Sequence, residues 1–210
     1  MPIHKIEEIN TTRYLAIWHI EESIEELTML LDPADTDKTI LDSFRSEKKK
    51  FEWLAGRVCI KSLCKVMGIY YKGLTKNANG KPFLIESTAE VSMSHSYPYV
   101  AAIIDSIEDV GIDLEQPKEK LRKVAHKFLS DQEVAAAKND INALCIYWCA
   151  KETLYKICDQ HISFREQMAV KDFELDSQGY TVGKVIVNDI VKSYKLEFRI
   201  EKDYILTFNL

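Results

Sequence analysis

The feature that most constrains this chain is the stretch from Ile141 to Asp159. Ile146, Ala150, Leu154 and Ile157 recur there at helical spacing and predict a long helix with a firm core contact. On another side of that helix Trp148, Glu152 and Lys156 follow one another at i, i+4, so an indole, a carboxylate and an ammonium form one row. A Glu–Lys pair at this spacing is an ordinary surface ion pair worth about 0.3–0.5 kcal/mol, and alone it carries no function. Its weight comes from three further stretches: Asn79-Gly80-Lys81-Pro82, Ser94-His95-Ser96 and Gly111-Ile112-Asp113-Leu114-Glu115.

The chain has 210 residues, enough for one large domain or two small ones around a real core. The stretch Met1 to Asn10 carries Glu7 and Glu8 and lacks an apolar core, and no apolar run reaches membrane-spanning length. A cytoplasmic protein without a membrane segment is the expectation. Five cysteines, an odd number with no CxxC pair, argue for reduced, mostly buried thiols rather than disulfides or zinc. The histidines are scattered without ligand spacing. A net charge of −5 argues against general nucleic-acid binding. The charge is uneven, however: Arg45 to Lys65 holds seven basic residues against two acidic ones. On that stretch a solvated lysine face is the ordinary reading, with phosphate contact by Arg57 or Lys61 as the minority one.

In chain order, Arg13 to Ile20 reads as a strand, and Ser23 as the N-cap of a helix Ile24 to Leu31 closed by Asp32-Pro33. A helix from about Asp37 to Met67 follows, open to a break at Ser43 to Ser46. Asn77 to Pro82 forms a turn before a short strand Phe83 to Ile85. Val91 to Ser94 and Tyr99 to Ile104 are strands with His95 at a strand end or loop between them. Asp105 to Asp109 marks a boundary between halves 1–106 and 107–210. Beyond it come a strand Val110 to Glu115, a helix Lys120 to Leu129, a capping box at Ser130-Asp-Gln-Glu133, the long helix, and strands Val170 to Leu175, Tyr180 to Val187, Ser193 to Ile200 and Tyr204 to Phe208. A weak repeat, Trp53-Leu-Ala55 with Lys61 against Trp148-Cys-Ala150 with Lys156, points to duplicated α+β halves.

Asp113 and Glu115 lie two apart on a strand, so both face one side while Leu114 turns to the core. Together with Glu152 they make three carboxylates whose gathering calls for a cation. Hard oxygen ligands suit Mg²⁺, which is commonly held by one or two carboxylates plus substrate phosphates. Lys156, Lys81 and Arg57 would then cradle a pyrophosphate, and His95 between two serines would donate to a further phosphate. The sequence has no Gly-x-Ser-x-Gly elbow, Walker A loop or Gly-x-Gly-x-x-Gly.

Gly111-Ile-Asp113-Leu-Glu115 resembles the GxDxE motif of the 4′-phosphopantetheinyl transferases, and Trp148-Cys-Ala-Lys151-Glu152-Thr-Leu-Tyr-Lys156 resembles their WxxKEAxxK motif. Asn79-Gly-Lys81-Pro82, Ser94-His95-Ser96 and Phe128-Leu-Ser-Asp-Gln-Glu133 match in order and spacing. The resemblance covers about Phe44 to Lys156, and the length is that of the larger, Sfp-like type. It implies an α+β fold of two similar halves related by a pseudo-twofold, each with helices on a small, mainly antiparallel sheet, and with coenzyme A bound between them. The implied activity is holo-[acyl-carrier-protein] synthase: transfer of 4′-phosphopantetheine from coenzyme A to a serine of an apo acyl or peptidyl carrier protein, releasing adenosine 3′,5′-bisphosphate.

By matching positions the resemblance implies Asp113, Glu115 and Glu152 as Mg²⁺ ligands, Glu152 also as base, and Lys156 as a phosphate contact and catalytic group. It further implies Lys81, Ser94, His95 and Arg57 as coenzyme A contacts. A monomer suffices for such an arrangement. Whether the carrier serves fatty-acid, polyketide or nonribosomal-peptide synthesis is open, and basic segments such as Arg45 to Lys65 or Leu121-Arg-Lys123 could steer an acidic carrier. Thr153, where the family usually has Ala, reads as harmless. Two other readings remain beside the transferase: a coenzyme A-binding module without turnover, and a metal-dependent phosphohydrolase.

Overall fold

A computed structural model describes residues 3–210, without the side chains of residues 3, 4 and 36. Met1 and Pro2, which open the stretch read above for a leader, lie outside the described residues. The chain forms two compact units that divide between Val110 and Gly111. No helix among the described residues is long and apolar enough to cross a membrane.

The first unit contains β1 (Ile3–Glu8), β2 (Arg13–His19), α1 (Ile24–Leu31), α2 (Asp35–Ser43), α3 (Glu47–Val66), β3 (Leu74–Lys76), β4 (Pro82–Leu84), β5 (Glu90–Ser96) and β6 (Tyr99–Asp105). Its sheet is antiparallel with the order β1-β2-β6-β5-β4-β3. α3 lies on β6 and β2, burying Leu54, Ala55, Val58, Cys59 and Leu63 against Ala16, Trp18, Ala102 and Ile104. Ser23 caps α1 in a reciprocal box with Glu26, and Asp32 ends it in the left-handed region. The long helix expected from Asp37 breaks into α2 and α3 because Phe44 and Ser46 adopt extended backbone. β1 and β3 escape the hydrophobic pattern; β1 is an edge strand carrying Lys5, Glu7 and Glu8, charges that suit an edge.

The second unit contains β7 (Ile112–Glu115), α4 (Lys120–Phe128), α5 (Asp131–Ala137), α6 (Ile141–Cys158), β8 (Met168–Val170), β9 (Gln178–Val187), β10 (Ile190–Ile200) and β11 (Ile205–Asn209). Its antiparallel sheet runs β7-β11-β10-β9-β8. α6 crosses β11 and β7, and Leu144, Ala150 and Leu154 share a core with Leu196, Phe198 and Ile205. Asn188 and Asp189, both at positive φ, form the two-residue turn between β9 and β10. The strand expected at Val170 to Leu175 is instead the shorter β8. On its edge away from β9, the Val170 amide donates to Glu133 at 2.9 Å, and the Met168 carbonyl accepts from Lys151 at 3.2 Å. Each unit is thus α+β, with a long helix on an antiparallel sheet. All five cysteines are free, and burial pushes the Cys64 thiol up to about 11 and Cys59 to about 12, which leaves both unreactive.

Candidate active site

The site residues expected from the sequence fall in both units, and each group is described within its own. In the second unit the site begins with a close approach. A Cβ on Gly111 would lie 2.4 Å from the Thr153 carbonyl oxygen and 2.6 Å from Ile157 Cγ1, so only glycine lets α6 pass over the start of β7. That approach brings Lys156 Nζ to the Ile112 carbonyl at 2.8 Å and to Asp113 Oδ1 at 2.7 Å. Asp113 is buried, and Glu115 on the same strand is half-buried and accepts from the Gln116 amide at 2.8 Å.

Glu152 is half-buried on α6. Burial pushes its carboxyl up to about 7, the Asp113 and Glu115 charges push the same way, and Lys156 opposes them. Three carboxylates therefore feel one another across β7 and α6, with one ammonium set against them. A carboxyl near neutrality in such company can exchange a proton at physiological pH.

The donor set is all oxygen. Among the described residues no group of three His, Cys, Asp or Glu side chains closes into a metal cage by itself. Mg²⁺ commonly takes one or two carboxylates and completes its shell with water and substrate phosphate, so no such cage is required. The hard donors, and a Glu152 carboxyl lifted by burial and then by the neighbouring Asp113 and Glu115 charges, fit a divalent cation.

Two residues of the same helix have roles the sequence reading missed. Lys151 is fully buried: Nζ donates to Glu133 Oε2 at 2.7 Å, to the Phe128 and Phe164 carbonyls at 2.8 Å each, and to Met168. Burial lowers its pKa while Glu133 raises it. Glu133 also closes the Ser130 capping box of α5. Thr153, expected to be inert, is fully buried and bonds Thr207 of β11 through both its carbonyl, at 3.1 Å, and its hydroxyl, at 3.0 Å. The two side chains leave the helix about 160° apart, so no single apolar stripe marks both, and the sequence does not name their partners.

In the first unit, Lys81 leaves the Asn77–Lys81 turn and pairs with Glu90 at 2.8 Å and Asp109 at 3.2 Å. His95 lies at the end of β5, the first of the two expected positions, half-exposed, with Nδ1 3.5 Å from Glu52 Oε1. Its neighbours Ser94 and Ser96 are buried.

Two members of the basic stripe of α3, Lys61 and Arg57, are committed to the unit's own structure, while Lys65 is exposed. Lys61 donates to the Leu30 and Leu31 carbonyls at 3.0 and 2.8 Å, capping the C-terminus of α1, which corrects the minority reading of it as a phosphate contact. Arg57 is only 6% exposed; its guanidinium lies 3.7 Å from the Trp53 ring centroid and its Nε 3.7 Å from Asp37. Burial lowers its pKa, with Asp37 opposing.

Comparison with known proteins bears on the second unit. No curated protein matches the chain. The family model of the 4′-phosphopantetheinyl transferase superfamily matches residues 109–209, a span that holds β7, α6 and every residue of the carboxylate cluster. Through residues 109–209, the second unit is similar to the 4′-phosphopantetheinyl transferase superfamily.

Proposed function

We propose that this chain is a holo-[acyl-carrier-protein] synthase type of transferase, moving 4′-phosphopantetheine from coenzyme A to a serine hydroxyl of an apo acyl or peptidyl carrier protein. The observation that carries the reading is Glu152, a carboxyl raised to about 7 beside Asp113, Glu115 and Lys156. In this reaction the serine oxygen forms a bond to the phosphorus that bears the pantetheine arm, the bond to the bridging oxygen breaks, and adenosine 3′,5′-bisphosphate leaves. The serine proton goes to the Glu152 carboxylate.

Asp113, Glu115 and Glu152 are the residues to hold Mg²⁺, which when bound neutralises pyrophosphate charge. Lys156 is placed to bond a phosphate oxygen, its side chain being a quarter exposed. Ser94, His95 and Lys81 are the coenzyme A contacts we favour in the first unit. Glu52 orients His95 for that role. Arg57, stacked on Trp53 and buried, is better suited to shaping α3 than to touching phosphate. The chain would act as a cytoplasmic monomer.

The test is the intact mass of apo carrier proteins incubated with the chain, coenzyme A and Mg²⁺, beside EDTA and Glu152→Ala controls. A gain of one phosphopantetheine, absent from both controls, is expected. No gain across a carrier panel while coenzyme A still binds would replace this reading with the binding module.

A further inference from the structure

α6 meets the β7–β11 ladder along a row of side chains that donate to strand carbonyls. Cys145 Sγ reaches the Glu115 oxygen and Cys149 Sγ the Ile205 oxygen, each at 3.8 Å; Thr153 Oγ1 reaches Thr207 O at 3.1 Å and Lys156 Nζ reaches Ile112 O at 2.8 Å. Thiols are weak donors, so the two cysteines add little direction. Thr153 is the one neutral strong donor in the row, and it has a matched partner.

The proton accounting closes. Thr153 donates its hydroxyl proton to the Thr207 carbonyl, and Thr207 donates its own to Thr153 Oγ1 at 3.0 Å, so both hydroxyl protons are used inside a dry seam where each residue is 0% exposed. Thr207 stands directly opposite Asp113 in the β7–β11 ladder. Opposed residues of an antiparallel pair put their side chains on the same face, about 4.5–5.5 Å apart at Cβ. The hydroxyl pair therefore stands beside Asp113, on the sheet face that α6 covers, and Glu152 is the residue immediately before Thr153. Gly111 permits the close approach of helix and strand, but it does not fix the helix in rotation or along its axis. A bidentate hydroxyl pair does.

We infer that Thr153 and Thr207 form a positioning pair: their paired hydroxyls set the rotation of α6 so that Glu152 and Asp113 act together on one divalent cation. The turnover part of the test rests on the transferase reading; the metal-binding part does not.

The test titrates Mn²⁺ alone, followed by electron paramagnetic resonance, into the full chain as wild type, Thr153→Ala, Thr153→Ser, Thr207→Val and the double variant Thr153→Ala/Thr207→Val, and then measures carrier transfer. Thr153→Ala and Thr207→Val should each weaken Mn²⁺ by about 10-fold, as loss of a group supporting metal ligands does. Thr153→Ser should stay within about 2-fold of wild type, and the double variant should bind no worse than Thr153→Ala, because the hydroxyls act as one unit. Transfer should lose about 10-fold in kcat with KM for the carrier unchanged.

The inference is overturned by Thr153→Ala binding Mn²⁺ like wild type, by Thr153→Ser failing to rescue, by additive losses in the double variant, or by a wild type that does not bind Mn²⁺. Should Thr153→Ala fail to fold, Thr153→Val, equal in volume, takes its place. If that also fails at 4 °C, the pair is a folding element and the inference falls. A wild type that binds Mn²⁺ yet modifies no carrier defeats the transferase reading and leaves the pair to be judged by the titration.

Discussion

Removing the charge of Glu152 should make the protein more stable while abolishing transfer. The carboxyl's ordinary value of 4.5 rises to about 7 in the fold, so the folded chain holds this proton more tightly than the unfolded one. With the folded value above the unfolded one, stability from this group is fully present below pH 4.5 and lost as the pH rises through about 7. At 1.36 kcal/mol per unit, the difference costs the ionised form about 3 kcal/mol at pH 8 and below about 1 kcal/mol at pH 5. Glu152→Gln is neutral at both. It should gain about 1–3 kcal/mol at pH 8 in EDTA, part of the sum being withheld because a buried amide also carries a desolvation cost. For a chain of this size that is an upward Tm shift of roughly 3–10 °C. Urea and thermal denaturation followed by circular dichroism, at pH 8 and pH 5, measure it. A variant no more stable than wild type at pH 8, or one whose advantage is as large at pH 5, would refute the burial of Glu152 beside Asp113 and Glu115.

Lys151→Met should cost about 3–5 kcal/mol, because it leaves the buried Glu133 carboxylate without its ammonium partner; the urea midpoint checks it, and a loss under 1 kcal/mol would show that the four-acceptor arrangement is not formed. Gly111→Ala should cost about 1–3 kcal/mol, as the new Cβ meets Thr153 backbone rather than a side chain that could turn away; an unchanged Tm would contradict the close approach. Lys61→Met should lose about 1 kcal/mol from the α1 terminus and leave KM for coenzyme A unaltered. A rise in that KM would return Lys61 to the phosphate contacts.

The parts of the fold legible in the sequence were those where local chemistry and burial agree. Ser23 with Glu26 and Ser130 with Glu133 announce their helices through a cap and a carboxylate three residues on, and both capping boxes are formed. α6 was legible because Ile146, Ala150, Leu154 and Ile157 recur at helical spacing, and all four are buried. β1 and β3 were not, since edge strands carry charge and lack the alternation that marks a half-buried strand. In the site, Asp113 and Glu152 could be read from residue type and spacing. The fate of the lysines could not. Lys61 and Lys156 sit at the same distance from their tryptophans, yet one caps a helix of its own unit and the other pairs with an aspartate. That choice depends on which carbonyls and carboxylates the chain returns to the helix face, and the return is made by α1 in one unit and by β7 in the other.

The nine residues from Trp148 to Lys156 hold a carboxyl by fastening its helix on two sides. Successive helical residues point about 100° apart, so Lys151, Glu152 and Thr153 face three directions. Lys151 goes inward to Glu133 and the carbonyls of Phe164 and Met168, Thr153 goes to β11, and Glu152 is left between them toward Asp113 and Glu115. A carboxylate repelled by two others would swing away from them if its mount were a loop. On a helix tied at the preceding residue by a buried ion pair and at the following one by a hydroxyl pair, it stays where it is, and burial first, with the Asp113 and Glu115 charges added, holds its proton up to about pH 7. The raised carboxyl and the rigid mount are therefore one property. A substitution that loosens the mount should lower the Glu152 value toward 4.5 before it unfolds the chain.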